Sequence, residues 1–412
     1  MATDYHVIIV GAGPAGSTCA WFAAKAGLRV LLVDAARFPR DKACGDAFTR
    51  TKAVPILEEL GLVDELQALP SARCETVRLT ASNGAHIDLP PPRGVPPSQQ
   101  AAYVCPRKIL DERLLARVRP LVDVVEGCTV TGVLRDARRI TGITGVDRAT
   151  GRRQVWRGAV VVGADGTRSI VAQHTGLLPR RDSQLGLAVR GYFEQVEGVT
   201  DQLELYCFDR LRPGYLWMFP CGGGRANVGL YLLKSRQPHT DGALIPQFWD
   251  LVRRHPTLAV RFRSASLVGP LTGWPLPLWS RRRRLSTEGA LLIGDAANLI
   301  DPATGEGIGN AMLSGKLAAG VIAEALAAGD TSAAVLRQYD ARLWTAIGRE
   351  LRLARLLQGL MRQPGVTEIA ITLAHRHAAF RRMATAALSA PGGKRDFLSL
   401  DGWKQAFARR DR

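Results

Sequence analysis

Three glycines near the N-terminus have the spacing that brings a peptide backbone close to a phosphate. Gly11, Gly13 and Gly16 form a G-x-G-x-x-G pattern, and Asp34 closes the hydrophobic run that follows. Glycines at this spacing let backbone N–H groups approach a pyrophosphate at a helix N-terminus, and an acid about 20 residues later accepts from a ribose hydroxyl. The segment predicts a dinucleotide site. The residues expected to contact the ligand are Gly11, Gly13, Ala15, Gly16, Asp34 and Ala35.

Two later segments also end a hydrophobic strand with glycine and aspartate and then open toward a helix. They are "GADGTRS" at 163–169 and "IGDAANLIDPATGEGIGNAM" at 293–312. A strand-to-helix turn of this kind directs backbone N–H groups and a carboxylate at a phosphate or a sugar-alcohol chain. Asp165 and Asp295 are the carboxylates predicted for this role.

A lone cysteine follows the first motif in "FPRDKACGDAFT", residues 38–49. Lys42 and Asp46 flank Cys44 and act on its pKa in opposite directions. Two interpretations stay open: Cys44 is a catalytic group that supplies a proton or controls access to the site, or it is a small buried residue that fills a gap.

Alternating aromatic residues mark a candidate substrate surface in "GYLWMFPCGGGRANVGL", residues 214–230. Tyr215, Trp217 and Phe219 fall on one face of a strand, where they would present a broad apolar wall to a hydrocarbon ligand. Packing inside the sheet is the alternative interpretation for the same side chains.

The surrounding periodicity predicts an α/β fold: a Rossmann-like domain with an inserted antiparallel-sheet domain and a helical C-terminal region. Residues 5–34 read as a βαβ unit, and 77–89 as a hairpin turning at Asn83 and Gly84. A helix is expected from near Pro106, strands over 122–162 and 185–280, and a long helix before 326. The predicted dinucleotide domain combines 1–75, 100–180 and 285–330; the sheet domain takes 76–99 and 181–284; the helical region is 331–412.

Composition limits the functional classes. The net charge is +18, but arginines are scattered and the run at 280–289 lacks interleaved aromatics, so no nucleic-acid partner is predicted. Seven cysteines without C-x-x-C spacing indicate free thiols, and no histidine has metal-ligand spacing beside carboxylates.

No apolar run reaches the length of a membrane span and no leader is evident, so a cytoplasmic location is expected.

Together the three glycine-rich motifs resemble the FAD-binding fold of the aromatic hydroxylase type, and the resemblance covers nearly the whole chain. That group includes flavin monooxygenases, flavin halogenases and geranylgeranyl reductases. The resemblance implies FAD as cofactor, with Asp34 on the adenosine ribose and Asp295 on the ribityl chain. It also implies isoalloxazine contacts from the backbone of Gly305, Gly307 and Ile308, and an arginine near the FAD at Arg107. The other residues assigned to FAD binding on this ground are Cys44, Gly45, Asp165, Gly294, Pro302, Gly305, Gly307 and Ile308.

Two motifs are similar to those of the geranylgeranyl reductase family. "KACGD" matches its K-x-C-G-G/D segment, and "YLWMFP" followed by a glycine matches its Y-x-W-x-F-P pattern. The resemblance implies a catalytic role for Cys44, Tyr215 and Trp217. It implies that the residues lining an isoprenoid cavity are Tyr215, Trp217, Phe219, Pro220, Gly229 and Tyr231.

Two departures concern the substrate. Tyr231 stands where the family usually has a second glycine, and Ala43 where many relatives have proline. A monooxygenase or halogenase acting on a natural product stays the alternative, because halogenases carry a W-x-W-x-I-P motif at the place of "YLWMFP".

As a reductase, the protein would use reduced FAD to deliver hydride from N5 to one carbon of an isolated double bond, while a proton reaches the other. With one dinucleotide motif, the reductant is either NADPH that visits transiently or a separate electron-donor protein. A prenyl or other hydrophobic small molecule is the expected substrate. The Arg-rich, Leu-rich helix at 349–363 either lies on a membrane or covers the core.

Overall fold

The computed structural model describes residues 4–48, 50–68, 72–91, 100–178, 184–234 and 244–389. The proline-rich segment that follows residue 89, which we expect to be a surface loop, lies mostly outside these described residues.

The described residues form eighteen strands. In chain order they are β1 (Tyr5–Val10), β2 (Val30–Asp34), β3 (Ala47–Phe48), β4 (Ala72–Cys74), β5 (Thr76–Ala81), β6 (His86–Leu89), β7 (Ala102–Val104), β8 (Asp123–Glu126), β9 (Cys128–Asp136), β10 (Arg139–Asp147), β11 (Arg153–Gly163), β12 (Leu185–Glu194), β13 (Gln202–Cys207), β14 (Tyr215–Pro220), β15 (Arg225–Leu233), β16 (Ser266–Pro277), β17 (Ser286–Thr287) and β18 (Ala290–Leu292).

The same residues form eleven α-helices. They are α1 (Pro14–Lys25), α2 (Ala53–Glu59), α3 (Val63–Ala68), α4 (Arg107–Val118), α5 (Ile170–Thr175), α6 (Leu244–Arg254), α7 (Pro256–Arg261), α8 (Ile308–Ala327), α9 (Ala333–Met361), α10 (Val366–Arg376) and α11 (Ala378–Ser389).

An eight-stranded sheet contains the predicted βαβ unit. Its main order is β17-β18-β11-β1-β2-β8, with β1 parallel to both β2 and β11, while β9 and β10 extend it as antiparallel strands from β11. The central run Val7–Val10 is buried, as expected for a parallel strand covered on both faces. Helices α1 and α8 pack against each other on this sheet. The glycine-rich turn after β1 therefore lies at the carboxyl edge of the parallel strands, where α/β sheets bind ligands.

A seven-stranded sheet forms the second layer, in the order β16-β12-β15-β14-β13-β5-β6. Its pairs are antiparallel except one, because β13 runs parallel to β5. The hairpin of β5 and β6 is confirmed, with Gly84 at a φ of 82° and the Asn83 side chain accepting from the Ala85 N–H. The parallel pair arises because β5 comes from a distant part of the chain and joins the sheet at the side of β13.

The last three helices divide between the two layers. Helix α9 packs into the core of the first sheet through Leu336, Tyr339 and Leu343. Helices α10 and α11 lie on the hairpin, where Ala374 and Phe380 contact the side chains of β6. The predicted fold class, with parallel and antiparallel sheets and a helical C-terminal region, is confirmed, while the proposed domain boundaries stay a prediction. No helix in the described part of the chain combines the length and apolarity needed to cross a membrane.

Replacing Gly16 with alanine should destabilise the fold. A Cβ at this position would lie 1.8 Å from the Gly11 carbonyl oxygen, so α1 would have to move away from β1. We expect the free energy of unfolding of the FAD-free protein to fall by about 1–3 kcal/mol or more in denaturant titrations. The control is Gly320→Ala in α8, where a Cβ meets nothing within 4 Å and alanine should stabilise by about 0.5–1 kcal/mol. Equal stability of both variants would contradict this packing.

Candidate functional site

One cavity of about 670 Å³ lies between the two sheets and holds residues from every predicted motif. The predicted site residues that line it are Gly11, Gly13, Ala15, Asp34, Ala35, Cys44, Gly45, Arg107, Asp165, Asp295, Gly305, Gly307, Ile308, Tyr215, Trp217, Phe219 and Tyr231. Those that do not line it are Gly16, Pro220, Gly229, Gly294 and Pro302. The structure thus brings together segments that are up to about three hundred residues apart in the chain.

Three of the predicted residues that do not line the cavity lie next to the elements that form it. A Cβ at Gly229 would lie 2.1 Å from Cζ2 of Trp217, so this glycine makes room for the indole. Gly294 has a φ of 59°, and a Cβ there would lie 2.9 Å from that of Ala15. The Pro302 carbonyl accepts a hydrogen bond from Gln358 of α9.

The Asp34 carboxylate fixes the backbone of the first glycine-rich turn by hydrogen bonds. Its carboxylate accepts from the Ala12 N–H at 2.7 Å and from the Ala36 N–H at 2.8 Å. Gly11 has a φ of 103°, and a Cβ there would lie 2.4 Å from the Ala164 carbonyl oxygen. Glycine is therefore required where this turn passes the end of β11, and the backbone stays free of side chains in front of α1.

Two arginines face that turn. A Cβ at Gly13 would lie 3.8 Å from Nη2 of Arg40 and 3.8 Å from Nη2 of Arg107. Both guanidinium groups bind the buried Asp111, Arg40 at 2.8 Å and Arg107 at 2.7 and 2.6 Å. Two cations sharing one carboxylate leave net positive charge beside the N-terminus of α1, which suits a pyrophosphate.

Sequence reasoning missed Arg40 and Asp111. Arg40 lies in the same short segment as Cys44, six residues beyond the end of β2. A cationic side chain so close to the first glycine-rich motif could have indicated a phosphate contact. Asp111 is four residues after Arg107 in α4, so the i, i+4 spacing would have paired them.

The second motif uses its aspartate as a helix cap. The Asp165 carboxylate accepts from the Ser169 hydroxyl at 2.5 Å and from the Ile170 and Val171 N–H groups at 2.7 and 3.3 Å. These bonds satisfy N–H groups at the start of α5. Asp165 still lines the cavity, but its carboxylate is engaged with the chain, so its assignment to the cofactor stays a prediction.

The third motif brings a carboxylate and a helix N-terminus to the cavity. Asp295 lies 3.3 Å from Nζ of Lys42, and Gly307 and Ile308 begin α8 at the cavity wall. The twenty-residue helix α8 directs its positive end there. Glu306 accepts from the Gly309 N–H at 2.6 Å, and burial raises the pKa of this carboxyl.

Tyr215, Trp217 and Phe219 line the cavity from one face of β14 and form an aromatic wall. Tyr215 and Trp217 have ring centroids 6.4 Å apart, and Trp217 and Phe219 are also 6.4 Å apart. The Tyr215 hydroxyl donates to the Thr304 carbonyl, which ties the wall to the loop before α8. A Cβ at Gly305 would lie 3.0 Å from the same hydroxyl.

Cys44 and Gly45 lie against this wall. A Cβ at Gly45 would meet Phe219 at 3.4 Å and Nε1 of Trp217 at 3.5 Å. Burial is the largest influence on the Cys44 thiol and raises its pKa, while Arg107 and Lys42 act to lower it. The thiol is therefore neutral near pH 7, so Cys44 can hold a proton but is a poor nucleophile.

Asp46 is a fully buried carboxylate behind Cys44. It has a φ of 62° and accepts from the Tyr192 hydroxyl at 2.6 Å, from Nδ2 of Asn227 at 2.8 Å and from the Arg107 N–H at 3.3 Å. Burial raises the pKa of the Asp46 carboxyl to about 6, against the hydrogen bonds from Tyr192 and Asn227 and the charges of Arg190 and Arg107.

Asn227 connects Asp46 to both sides of the cavity. Its Nδ2 also donates to the Cys44 carbonyl at 2.8 Å, and its Oδ1 accepts from Nε1 of Trp217 at 2.9 Å. A single amide therefore fixes the Cys44 segment and the central ring of the wall relative to each other. No pattern in the sequence marks Asn227 as a functional residue, apart from its place in the strand after the aromatic motif.

The chain is similar to several known proteins. A family model described as "FAD binding domain" matches residues 4–348. The chain is 34% identical to a menaquinone reductase of Mycolicibacterium smegmatis over 77% of this chain and 76% of that protein. It is 31% identical to a digeranylgeranylglycerophospholipid reductase of Methanocella arvoryzae over 85% of this chain and 86% of that protein. A crystal structure described as geranylgeranyl bacteriochlorophyll reductase-like, from Thermoplasma acidophilum, superposes with a TM-score of 0.78 at 23% identity over 98% of this chain and 96% of that one.

The titration of Asp46 should appear in the pH dependence of stability. Because its folded-state pKa of about 6 exceeds the ordinary value of 3.8, the folded protein binds this proton more tightly than the unfolded chain does. Stability from this group is therefore highest below about pH 4 and is lost as the pH rises through about 6. The free energy of unfolding of wild type relative to Asp46→Asn should fall by about 2–3 kcal/mol from pH 4 to pH 7.

Asp88→Asn is the control with the opposite sign. The hydrogen bond from Arg78 is the main cause that lowers the pKa of Asp88, so wild type should gain stability over this variant as the pH rises. A difference between wild type and Asp46→Asn that does not change with pH would contradict the assignment for Asp46.

Proposed function

Since the chain belongs to the FAD binding domain family, we propose that it is an FAD-dependent reductase that hydrogenates carbon–carbon double bonds of a prenyl chain. The observation that carries the proposal is the shared cavity, in which the aromatic wall of β14 faces the glycine-rich turns and the N-terminus of α8. The two curated relatives are named as reductases, and one of these names specifies geranylgeranyl chains. The motifs at Cys44 and Tyr215 favour the same activity.

The residues present fit an FAD. The turn at Gly11 and Gly13 is free of side chains, the cations of Arg40 and Arg107 face it, and Asp34 and Asp295 line the same cavity. Bound and reduced FAD would supply the hydride, which the side chains of this protein cannot. The start of α8 favours negative charge beside it, as a reduced flavin ring requires.

The chain's own contribution is to position the alkene, exclude water and hold a proton. Tyr215, Trp217 and Phe219 provide an apolar surface against which a prenyl chain packs. Cys44 lines the same cavity as a neutral thiol, which makes it our candidate for the group that supplies a proton. Tyr215 and Trp217 act as positioning residues, since their polar atoms are bonded to Thr304 and Asn227.

An anaerobic incubation tests this function. Enzyme reconstituted with FAD and reduced with dithionite should convert prenylated lipids or quinones to products heavier by about 2 Da per bond, as read by mass spectrometry. A monooxygenase or halogenase would instead need oxygen and add about 16 Da or a halogen. Product that forms only when oxygen is admitted would refute the proposal.

Cysteine variants refine the same experiment. Cys44→Ala should retain FAD but reduce the rate or change which bond is reduced. Cys74→Ala is the matched control, because Cys74 is a buried free cysteine that does not line the cavity. Unchanged rate and product pattern in Cys44→Ala would assign Cys44 to packing.

We further propose that electrons come from NADPH or from a donor protein, because the sequence contains the G-x-G-x-x-G spacing once, at Gly11, Gly13 and Gly16. All seven cysteines are unpaired, which fits a reducing compartment such as the cytoplasm.

We also propose peripheral contact with an anionic membrane through Leu356, Leu360 and Ile369. These three residues are exposed on α9 and α10, and the exposed Arg352 lies beside them in sequence.

Vesicle sedimentation tests the membrane contact. Wild type should bind phosphatidylglycerol vesicles more tightly than phosphatidylcholine vesicles, and Leu356→Glu with Ile369→Glu should weaken binding by at least about tenfold. The control is Val155→Glu on β11, because Val155 is 57% exposed, close to Leu356 at 59% and Ile369 at 60%. Equal loss in control and variant would mean that these helices make no specific contact.

A further inference from the structure

Tyr231 extends the aromatic wall onto the neighbouring strand. It lies on β15, directly opposite Tyr215 of β14 on one side and Ala188 of β12 on the other. Residues opposite each other on adjacent strands point to the same face of a sheet, and all three line the cavity. The Tyr231 and Tyr215 rings have centroids 5.4 Å apart, so they pack against each other.

The Tyr231 ring fills the space in which it lies. Tyr231 is only 1% exposed although it lines the cavity, so the ring is enclosed on nearly every side. A Cβ at Gly186 would lie 2.6 Å from Cε2 of this ring, so the ring occupies the place that a side chain at Gly186 would need. With glycine at position 231, as the geranylgeranyl reductases usually have, the cavity would continue into this volume.

Helix α9 closes the space behind the ring. The Tyr231 hydroxyl is hydrogen-bonded to the side chain of Gln358, which is buried in α9. Nε2 of Gln358 donates to the Pro302 carbonyl at 2.7 Å, and its Oε1 accepts from Arg355 at 2.7 Å. The ring is therefore fixed between the sheet and α9, and it cannot move aside without breaking these contacts.

Tyr215 continues the obstruction toward the start of α8. Its ring is packed against Tyr231, and its hydroxyl donates to the Thr304 carbonyl. A Cβ at Gly305 would lie 3.0 Å from the same hydroxyl, so no space remains between Tyr215 and this loop. Tyr215 and Tyr231 together form a tyrosine barrier that runs from the loop before α8 to α9.

The opposite end of the aromatic wall carries no such barrier. Beyond Phe219 the cavity lining stays apolar and includes Phe48, Ala102 and Leu203. Phe219 lies about 13 Å from Tyr215 along β14, because a strand rises about 3.3 Å per residue. A prenyl chain can therefore lie along the wall from Phe219 toward Tyr215, but it cannot extend beyond the tyrosine barrier.

The barrier lies beside the residues that the family resemblance assigns to the flavin ring. Gly305 is one of them and meets Tyr215 directly, while Gly307 follows it at the cavity wall. A double bond that reaches these residues is close to the chain end that meets the barrier. Bonds farther along the chain lie beside Trp217 and Phe219.

We propose that Tyr231 limits how far a prenyl chain enters, so that the enzyme reduces one double bond, close to the chain end that meets the tyrosine barrier. The inference rests on the proposed function, because it assigns the residue that determines specificity at the same site. Each reduced bond takes one hydride from the flavin and one proton. A second bond is not reduced, because the chain cannot advance to bring it to the flavin.

Chain-length dependence of binding tests the inference without turnover. Quenching of flavin fluorescence in the oxidised, FAD-loaded enzyme would be titrated with prenyl alcohols of increasing length, from geraniol through farnesol to geranylgeraniol. The ratio of the affinities for geranylgeraniol and geraniol should be at least about tenfold larger in Tyr231→Ala than in wild type, because the added carbons are buried only when the ring is removed. An equal ratio in the two proteins would overturn the inference.

Three further variants show that the ring itself is the cause. Tyr231→Phe keeps the ring without the hydroxyl and should retain the wild-type ratio of affinities. Leu230→Ala is the matched control for loosened packing, because Leu230 is the adjacent buried residue of β15 and belongs to the core on the other face of the sheet. Its ratio should also stay at the wild-type value, and a rise equal to that of Tyr231→Ala would overturn the inference. Tyr231→Val removes the ring with a residue suited to a strand, and it replaces Tyr231→Ala if alanine prevents FAD binding.

Product masses separate this inference from the proposed function. With excess dithionite and no oxygen, wild type should add about 2 Da to geranylgeraniol, and Tyr231→Ala should add about 4 Da or more. Wild type that hydrogenates every bond of the chain would overturn the inference and sustain the reductase activity. If neither protein reduces any prenylated compound, the reductase activity is refuted, while the affinity ratios still decide whether Tyr231 limits entry of the chain.

Discussion

The hydrogen bonds of Asn227 hold the two sides of the cavity together. One amide accepts from Trp217 of the aromatic wall and donates to the Cys44 carbonyl and to the Asp46 carboxylate. All of these groups are buried or nearly so, and an unsatisfied member would cost more than each bond gains, so the network has one satisfied arrangement. The position of the Cys44 segment on the wall, and with it the shape of the substrate side of the cavity, depends on this arrangement.

The rest of the site combines a polar and an apolar environment in one cavity. At one side, backbone N–H groups, the start of α8 and the cations of Arg40 and Arg107 suit phosphates and an anionic ring. At the other side, Tyr215, Trp217 and Phe219 suit a hydrocarbon. An FAD-dependent oxidoreductase acting on a prenyl chain needs this juxtaposition, because the reacting carbon must reach the flavin while water is excluded.

Local patterns in the sequence predicted the elements well, and contacts between distant segments poorly. The βαβ unit, the hairpin at Asn83 and the wall of β14 follow from spacing and alternation within short segments. The bond between Asp46 and Asn227 joins residues 181 positions apart, and the parallel pair of β5 and β13 joins two separate hairpins, so no local pattern encodes either. Asp165 shows a further limit, since an Asp-Gly turn has the same sequence whether its carboxylate faces a ligand or caps a helix.

The flavin and the prenyl chain must meet in this one cavity for a hydride to pass between them. Stopped-flow absorbance of the FAD-loaded, fully reduced enzyme, mixed with a prenylated substrate in the absence of oxygen, tests this most directly. If hydride passes from the flavin to the alkene, the absorbance of oxidised flavin near 450 nm returns in a single turnover and one equivalent of substrate is hydrogenated. A flavin that stays reduced with every prenylated substrate and is oxidised only when oxygen is admitted would contradict it.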